Sequence, residues 1–137
     1  MGRRPPGFVG RYIVVADEDR AVSNFVIETL LQDGHAVFMA YDGLSATHLV
    51  LGLKACDLLI SNSRVAGLPG VELIRELRQH LPRLPVLYLA NRVRSTPAIE
   101  RGLPRNVPIL REPFTATQLR AGVNGLLKAA RGNVRIL

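Results

Sequence analysis

The chain has 137 residues, 47% of them apolar, enough for one domain with its own core and without metal or disulfide staples. Its single cysteine, Cys56, excludes an internal disulfide and any multi-cysteine zinc site, and no run approaches the roughly 18 apolar residues of a membrane span. The net charge of +7 is uneven: up to residue 82, eight arginines and lysines stand against nine carboxylates, and from residue 83 on, ten stand against two.

Residues 1 to 10, with Pro5, Pro6, three glycines, Arg3 and Arg4, read as an irregular basic arm, without the long apolar segment of a signal peptide. A domain over residues 11 to 130 is expected next, and residues 131 to 137 read as a tail. YIVVA (12 to 16) is a continuous β-branched run of the kind found in a central parallel strand covered on both faces. Asp17, Glu18 and Asp19 follow its C-terminal end, and Asp19 is placed to cap a helix with Val22, Phe25, Val26, Thr29 and Leu30 on one stripe. Gly34 ends that helix. AVFMA (36 to 40) is a second strand, and Asp42 and Gly43 open a second helix through about Gly52.

LLIS (58 to 61) is a third strand, delivering Asn62 to a turn that holds Gly67, Pro69 and Gly70. A third helix from Gly70 presents Val71, Ile74, Leu77 and Leu81, and Pro82 and Pro85 stop it. VLYLA (86 to 90) is the fourth strand. Pro97 and Pro104 leave room only for a short or irregular helix between 91 and 106. VPIL (107 to 110) reads as a fifth strand, and Pro108 within it argues for a sheet edge. Thr115 and Gln118 form a capping box before a last helix with Leu119, Val123, Leu126 and Leu127 inward.

Five strands alternating with helices predict an α/β doubly wound five-stranded parallel sheet, in the flavodoxin-like order 2-1-3-4-5, with helices on both faces. Crevices in such sheets lie beyond the C-terminal ends of the strands, at the switch point between strands 1 and 3, and Asp17, Glu18 and Asn62 all fall there. Asp57 begins strand 3 and belongs to the opposite end. Cys56 reads as a small buried hydrophobe. His35, His48 and His80 read as surface or packing histidines, with no catalytic arrangement around them.

IVVADEDRAV, DLLISNSRVAGLPG, PVLYLAN and ILREPF, in this order and at this spacing, resemble the receiver domain of two-component response regulators over roughly residues 11 to 130. The resemblance implies phosphoryl transfer to an aspartate at the end of strand 3. It further implies Mg²⁺ held by an acidic pair, a hydroxyl after strand 4, a lysine before a proline and an aromatic switch on strand 5. The acidic pair is retained as Asp17 and Glu18. The acceptor position is Asn62, the hydroxyl position Ala90, the lysine position Glu112 and the switch position Ile109, so all four depart. The expectation is an atypical pseudo-receiver, with no catalytic residue and a degenerate phosphorylation site. Mg²⁺ binding is expected to be weak or absent, with Asp17 and Glu18 a vestigial site at most.

Asp17, Glu18 and Glu112 would then face one another without a lysine, and three ionised carboxylates do not sit together unpartnered. Three solutions are open: Glu112 turns to solvent, Arg64, Arg92 or Arg111 folds in, or a divalent cation is kept. The functional expectation is a cytoplasmic, phosphorylation-independent protein-interaction module and not an enzyme. Its partner would be an acidic protein, or a second copy of the chain, met through the face of helix 4, strand 5 and helix 5, with Arg92, Arg94, Arg101, Arg105 and Arg111 as candidate contacts. The alternative is direct nucleic-acid contact by the basic half. No membrane role is expected.

Overall fold

The computed structural model describes residues 6–53 and 56–132. The expectations placed on residues 1 to 5, with Arg3 and Arg4, and on residues 133 to 137 lie outside the described residues. Five parallel strands, β1 (Tyr12–Ala16), β2 (Ala36–Ala40), β3 (Leu58–Asn62), β4 (Val86–Ala90) and β5 (Ile109–Arg111), form one sheet in the order β2-β1-β3-β4-β5. This is the predicted doubly wound topology.

Period-2 alternation divides each strand between two helical layers. Ile13, Val15, Leu58, Ile60, Leu87 and Leu89 face α1 (Arg20–Gln32) and α5 (Ala116–Gly132), where Val26, Leu30, Leu119 and Val123 complete the packing. Val14, Leu59, Val86 and Tyr88 face the other way, against α2 (Gly43–Gly52) and α3 (Gly70–His80), whose Val50, Ile74 and Leu77 are buried. Because β1, β3 and β4 are buried along their whole length, a truncation such as Leu59→Ala leaves a cavity costing about 2–5 kcal/mol.

The helix starts follow the predicted caps. The Asp19 carboxylate accepts from the N–H groups of Ala21 and Val22, Asp42 accepts from Ser45 N–H at 2.7 Å, and Thr115 and Gln118 bond reciprocally. The turn into α3 uses Gly67 at φ +79°, and Gly70 lies so close to the Asn62 main chain that a Cβ there would strike its carbonyl. That approach seats the end of β3 beside the start of α3. The rim of the crevice follows from it.

Two local expectations are corrected. The fifth strand runs Ile109–Arg111, not 107 to 110, and Pro108 stands just before it, its carbonyl accepting from Tyr88 N–H at 3.0 Å. The edge position holds, but a proline without an N–H precedes the ladder and is not inside it. Phe25, placed on the inner stripe of α1, is 39% exposed and lies against Phe114, with ring centroids 6.0 Å apart. The short helix is α4 (Pro97–Glu100), capped by Thr96. Among the described residues no helix is long and apolar enough to cross a membrane.

Candidate functional site

The C-terminal ends of β1, β3 and β5 bring Asp17, Asn62 and Glu112 together. Asn62 is fully buried, and both hydrogens of its amide are used: Nδ2 donates to Asp17 Oδ2 at 2.9 Å and to Glu112 Oε2 at 2.8 Å. Oδ1 accepts from the Arg64 N–H at 3.0 Å and the Ser63 hydroxyl at 3.1 Å. A main-chain N–H can only donate, so Arg64 fixes which end of the amide is oxygen. The side chain is thereby a bridge between two carboxylates, and its orientation is not free.

Asp17 is fully buried, and its Oδ1 accepts from Asp19 N–H at 2.8 Å. Burial pushes its carboxyl up to about 7, against the lowering effect of the bonds from Asp19 and Asn62. Near neutrality this group exchanges a proton, unlike an ordinary carboxylate. Glu18, its sequence neighbour, turns outward and meets Arg64 at 3.7 Å. The acidic pair is therefore divided between interior and surface.

None of the three solutions open from the sequence is adopted whole. Glu112 does not turn to solvent, since it accepts the Asn62 amide. Arg64 does fold in, but onto Glu18. Arg111 is spent on Glu100, and Arg92 is exposed at the edge of an open pocket of about 440 Å³ that also includes Val22, Phe25 and Phe114. Counting arginines as the available donors missed the amide itself. The signal was Asn62 at the end of β3, with acids following the ends of β1 and β5 and only the small Ala90 ending β4 between them.

Ala90 ends β4 buried and brings no polar side-chain atom to the cluster, while the Ser63 hydroxyl accepts from Asn91 N–H at 2.9 Å and ties the next loop to Asn62. Ile109 is 38% exposed on the edge strand. A cation between Asp17 and Glu112 would need the lone pairs that now face amide hydrogens. Among the described residues no group of three His, Cys, Asp or Glu side chains has a metal-holding arrangement.

A second polar chain runs from the core to the sheet edge. The buried Tyr88 hydroxyl lies 2.7 Å from Ser95 Oγ, which donates to Glu100 Oε2 at 2.7 Å, and Arg111 holds Glu100 through two bonds of 2.7 and 2.9 Å. Arg111 lowers the Glu100 pKa, whereas burial raises that of Tyr88. Neither Tyr88 nor Ser95 stood out in the sequence; a lone tyrosine in an aliphatic strand was the available signal, because a buried phenol requires a partner.

Of the candidate contact arginines, Arg92 and Arg94 lie exposed in the loop after β4, and Arg101 and Arg105 lie exposed between α4 and β5. Asp57, at the opposite end of the sheet, accepts from Tyr12 N–H at 2.8 Å, and His35 Nδ1 accepts from Arg11 N–H at 3.0 Å. Both have structural partners far from the cluster.

The fold has counterparts among known proteins. The chain is 31% identical over 125 residues to the transcriptional regulatory protein TctD of Salmonella typhimurium, covering 89% of this chain and 54% of TctD. It is 32% identical over 107 residues to the response regulator protein FleR of Pseudomonas aeruginosa, covering 78% of this chain and 22% of FleR. It thus spans about half of the first relative and less of the second. The crystal structure of a response regulator receiver domain protein from Clostridium thermocellum shares the fold with a TM-score of 0.78 at 20% identity, over 90% of this chain and 99% of that one. Residues 13–124 match the model of the response regulator receiver domain, and the chain belongs to that family.

Proposed function

We propose that this domain is a pseudo-receiver: a two-component signalling module, regulatory and not enzymatic, whose output surface is set without phosphorylation. The observation that carries this reading is the engagement of Asn62. Phosphoryl transfer needs an ionised carboxylate as nucleophile, and a carboxamide whose nitrogen lone pair is delocalised does not supply one. Here the amide bridges Asp17 and Glu112. Ala90, Ile109 and Glu112, standing where the family has a hydroxyl, an aromatic and a lysine, support the same conclusion. The geometry at Asp17 further supports weak or absent Mg²⁺ binding.

The partner is a protein with an acidic surface, or a second copy of the chain, met through α4, β5 and α5. Val93, Ile99 and Ile109 are 84%, 44% and 38% exposed on segments that also carry Arg92, Arg94, Arg101 and Arg105. Apolar contacts bordered by cations suit a protein interface better than a phosphate backbone. The setting is the cytoplasm, as two-component signalling implies. Treating the chain with acetyl phosphate and Mg²⁺ should leave its intact mass unchanged; stoichiometric addition of one phosphoryl group would overturn the reading.

A second reading, nucleic-acid contact by the basic half, draws on the name of TctD as a transcriptional regulatory protein. It requires DNA binding that weakens steeply between low and physiological salt. Salt-insensitive binding would exclude it.

A further inference from the structure

A basic groove lies between α3 and the segment joining α4 to β5. Its volume is about 440 Å³, and Arg75, Arg78, Gln79, Arg101, Gly102 and Pro104 line it. Three guanidinium groups border this space and no carboxylate does. Arg78 is fixed in place by main-chain carbonyls, with Nε donating to Leu84 at 2.8 Å, Nη1 to Arg105 at 2.7 Å and Nη2 to Asn106 at 3.2 Å. Those dipoles hold the cation in the groove wall without cancelling its charge.

Arg75 and Arg101 are exposed, and among the described residues neither is paired with a carboxylate. They line the same groove. The turn at Gly102, the residue after Arg101, lies against α3: a Cβ built there would come within 3.1 Å of Val71 Cγ1 and 3.8 Å of Arg75 Nη1. Cations gathered on one surface, with no carboxylate among them, attract anions. Arginine forks match carboxylates in a bidentate geometry.

We propose that this groove is a docking site for an acidic segment of a partner protein, with Arg75 and Arg101 pairing with its carboxylates and Arg78 holding the groove open. The proposal rests on reading the domain as a protein-interaction module and extends that surface, through the shared Arg101, onto α3. The groove is open and its main-chain carbonyls are turned into the wall by Arg78. Spaced carboxylates on an extended segment therefore suit it better than a compact phosphate, which is usually cradled by main-chain N–H groups.

The test is fluorescence anisotropy with a short labelled oligoglutamate peptide, its oligoglutamine counterpart and single-stranded DNA of matching length, at physiological salt. The expected result is binding of the glutamate peptide alone, weakened about ten-fold in the double variant Arg75→Gln/Arg101→Gln and unchanged in Arg20→Gln. Both replaced side chains are exposed, and a thermal melt confirms that the double variant folds. Failure of the peptide to bind, equal binding by the double variant, or tighter binding of the DNA with loss in the same variant would each overturn the proposal. Acetyl phosphate labelling is a separate readout: a labelled chain that still binds the peptide sinks only the pseudo-receiver reading, and an unlabelled chain that ignores the peptide sinks only the groove.

Discussion

Two carboxylates of this domain, Asp17 in the crevice and Glu100 at the α4–β5 corner, sit in hydrogen-bond networks of similar size and are driven in opposite directions. Asp17 is buried against an amide and another acid, and its pKa rises to about 7. Glu100 meets an arginine at the surface and its pKa falls. A neutral donor satisfies hydrogen-bonding capacity without supplying charge, whereas a guanidinium supplies both. The crevice is consequently closed by a device that depends on protonation, and the corner by one that does not.

The largest effect expected from this contrast is on the pH dependence of stability. Asp17 ionises near 3.8 when unfolded and near 7 when folded, so the folded state holds more protons between those values. Its contribution is fully present below about pH 4 and is lost as pH rises through about 7, with a ceiling near 4 kcal/mol at about 1.4 kcal/mol per unit. Urea denaturation midpoints should fall across this interval and level off above it, and Asp17→Asn should flatten the profile. His35, whose pKa burial lowers, works in the opposite sense within this window, so a profile that Asp17→Asn leaves unchanged would break the comparison. The lowered pKa values of Asp42 and Glu100 act in more acid solution and do not share this window.

Asn62→Asp comes next. It replaces the bridging amide with a third acid, and should cost about 3 kcal/mol at pH 8, regained largely near pH 4.5 where the carboxyls share protons. The variant should also remain unlabelled by acetyl phosphate, because Glu112 still stands where a lysine is needed. Robust labelling would mean the site is closer to competent than the geometry implies.

At the corner, effects should be smaller. Tyr88→Phe removes one buried hydrogen bond while Ser95 keeps Glu100, a loss of about 1 kcal/mol measurable by thermal melting. Arg111→Gln should lower global stability modestly, since the arginine is exposed but leaves a Glu100 side chain only 8% exposed, and should speed hydrogen exchange in α4. Unchanged exchange there would show that Thr96 and the flanking prolines hold α4 by themselves.

Much of this was legible in the sequence because it is local. Asp19, Asp42 and Thr115 are capping residues at fixed offsets from apolar stripes, and Ile13 to Ala16 and Leu58 to Ile60 are apolar runs that only a covered sheet accommodates. The register of β5 was not legible, since Pro108 excludes itself from a ladder without saying on which side the ladder lies. The site was legible as a set of residues but not as a geometry. That Asn62 contacts Asp17 and Glu112 across separations of 45 and 50 residues depends on three strand ends converging. The groove of Arg75, Arg78 and Arg101 was hidden for the same reason, as its sides come from different crossover units.

The edge strand restricts how two copies of this chain could meet. β5 has only three residues, with Pro108 before it and Pro113 just past it, so its outer rim offers few main-chain groups in a row. A second molecule cannot extend the sheet there as a continuous ladder, which needs a longer run of free N–H and C=O groups. Any symmetric pair formed at this end must therefore dock side chain to side chain, leaving each sheet to end at its own β5.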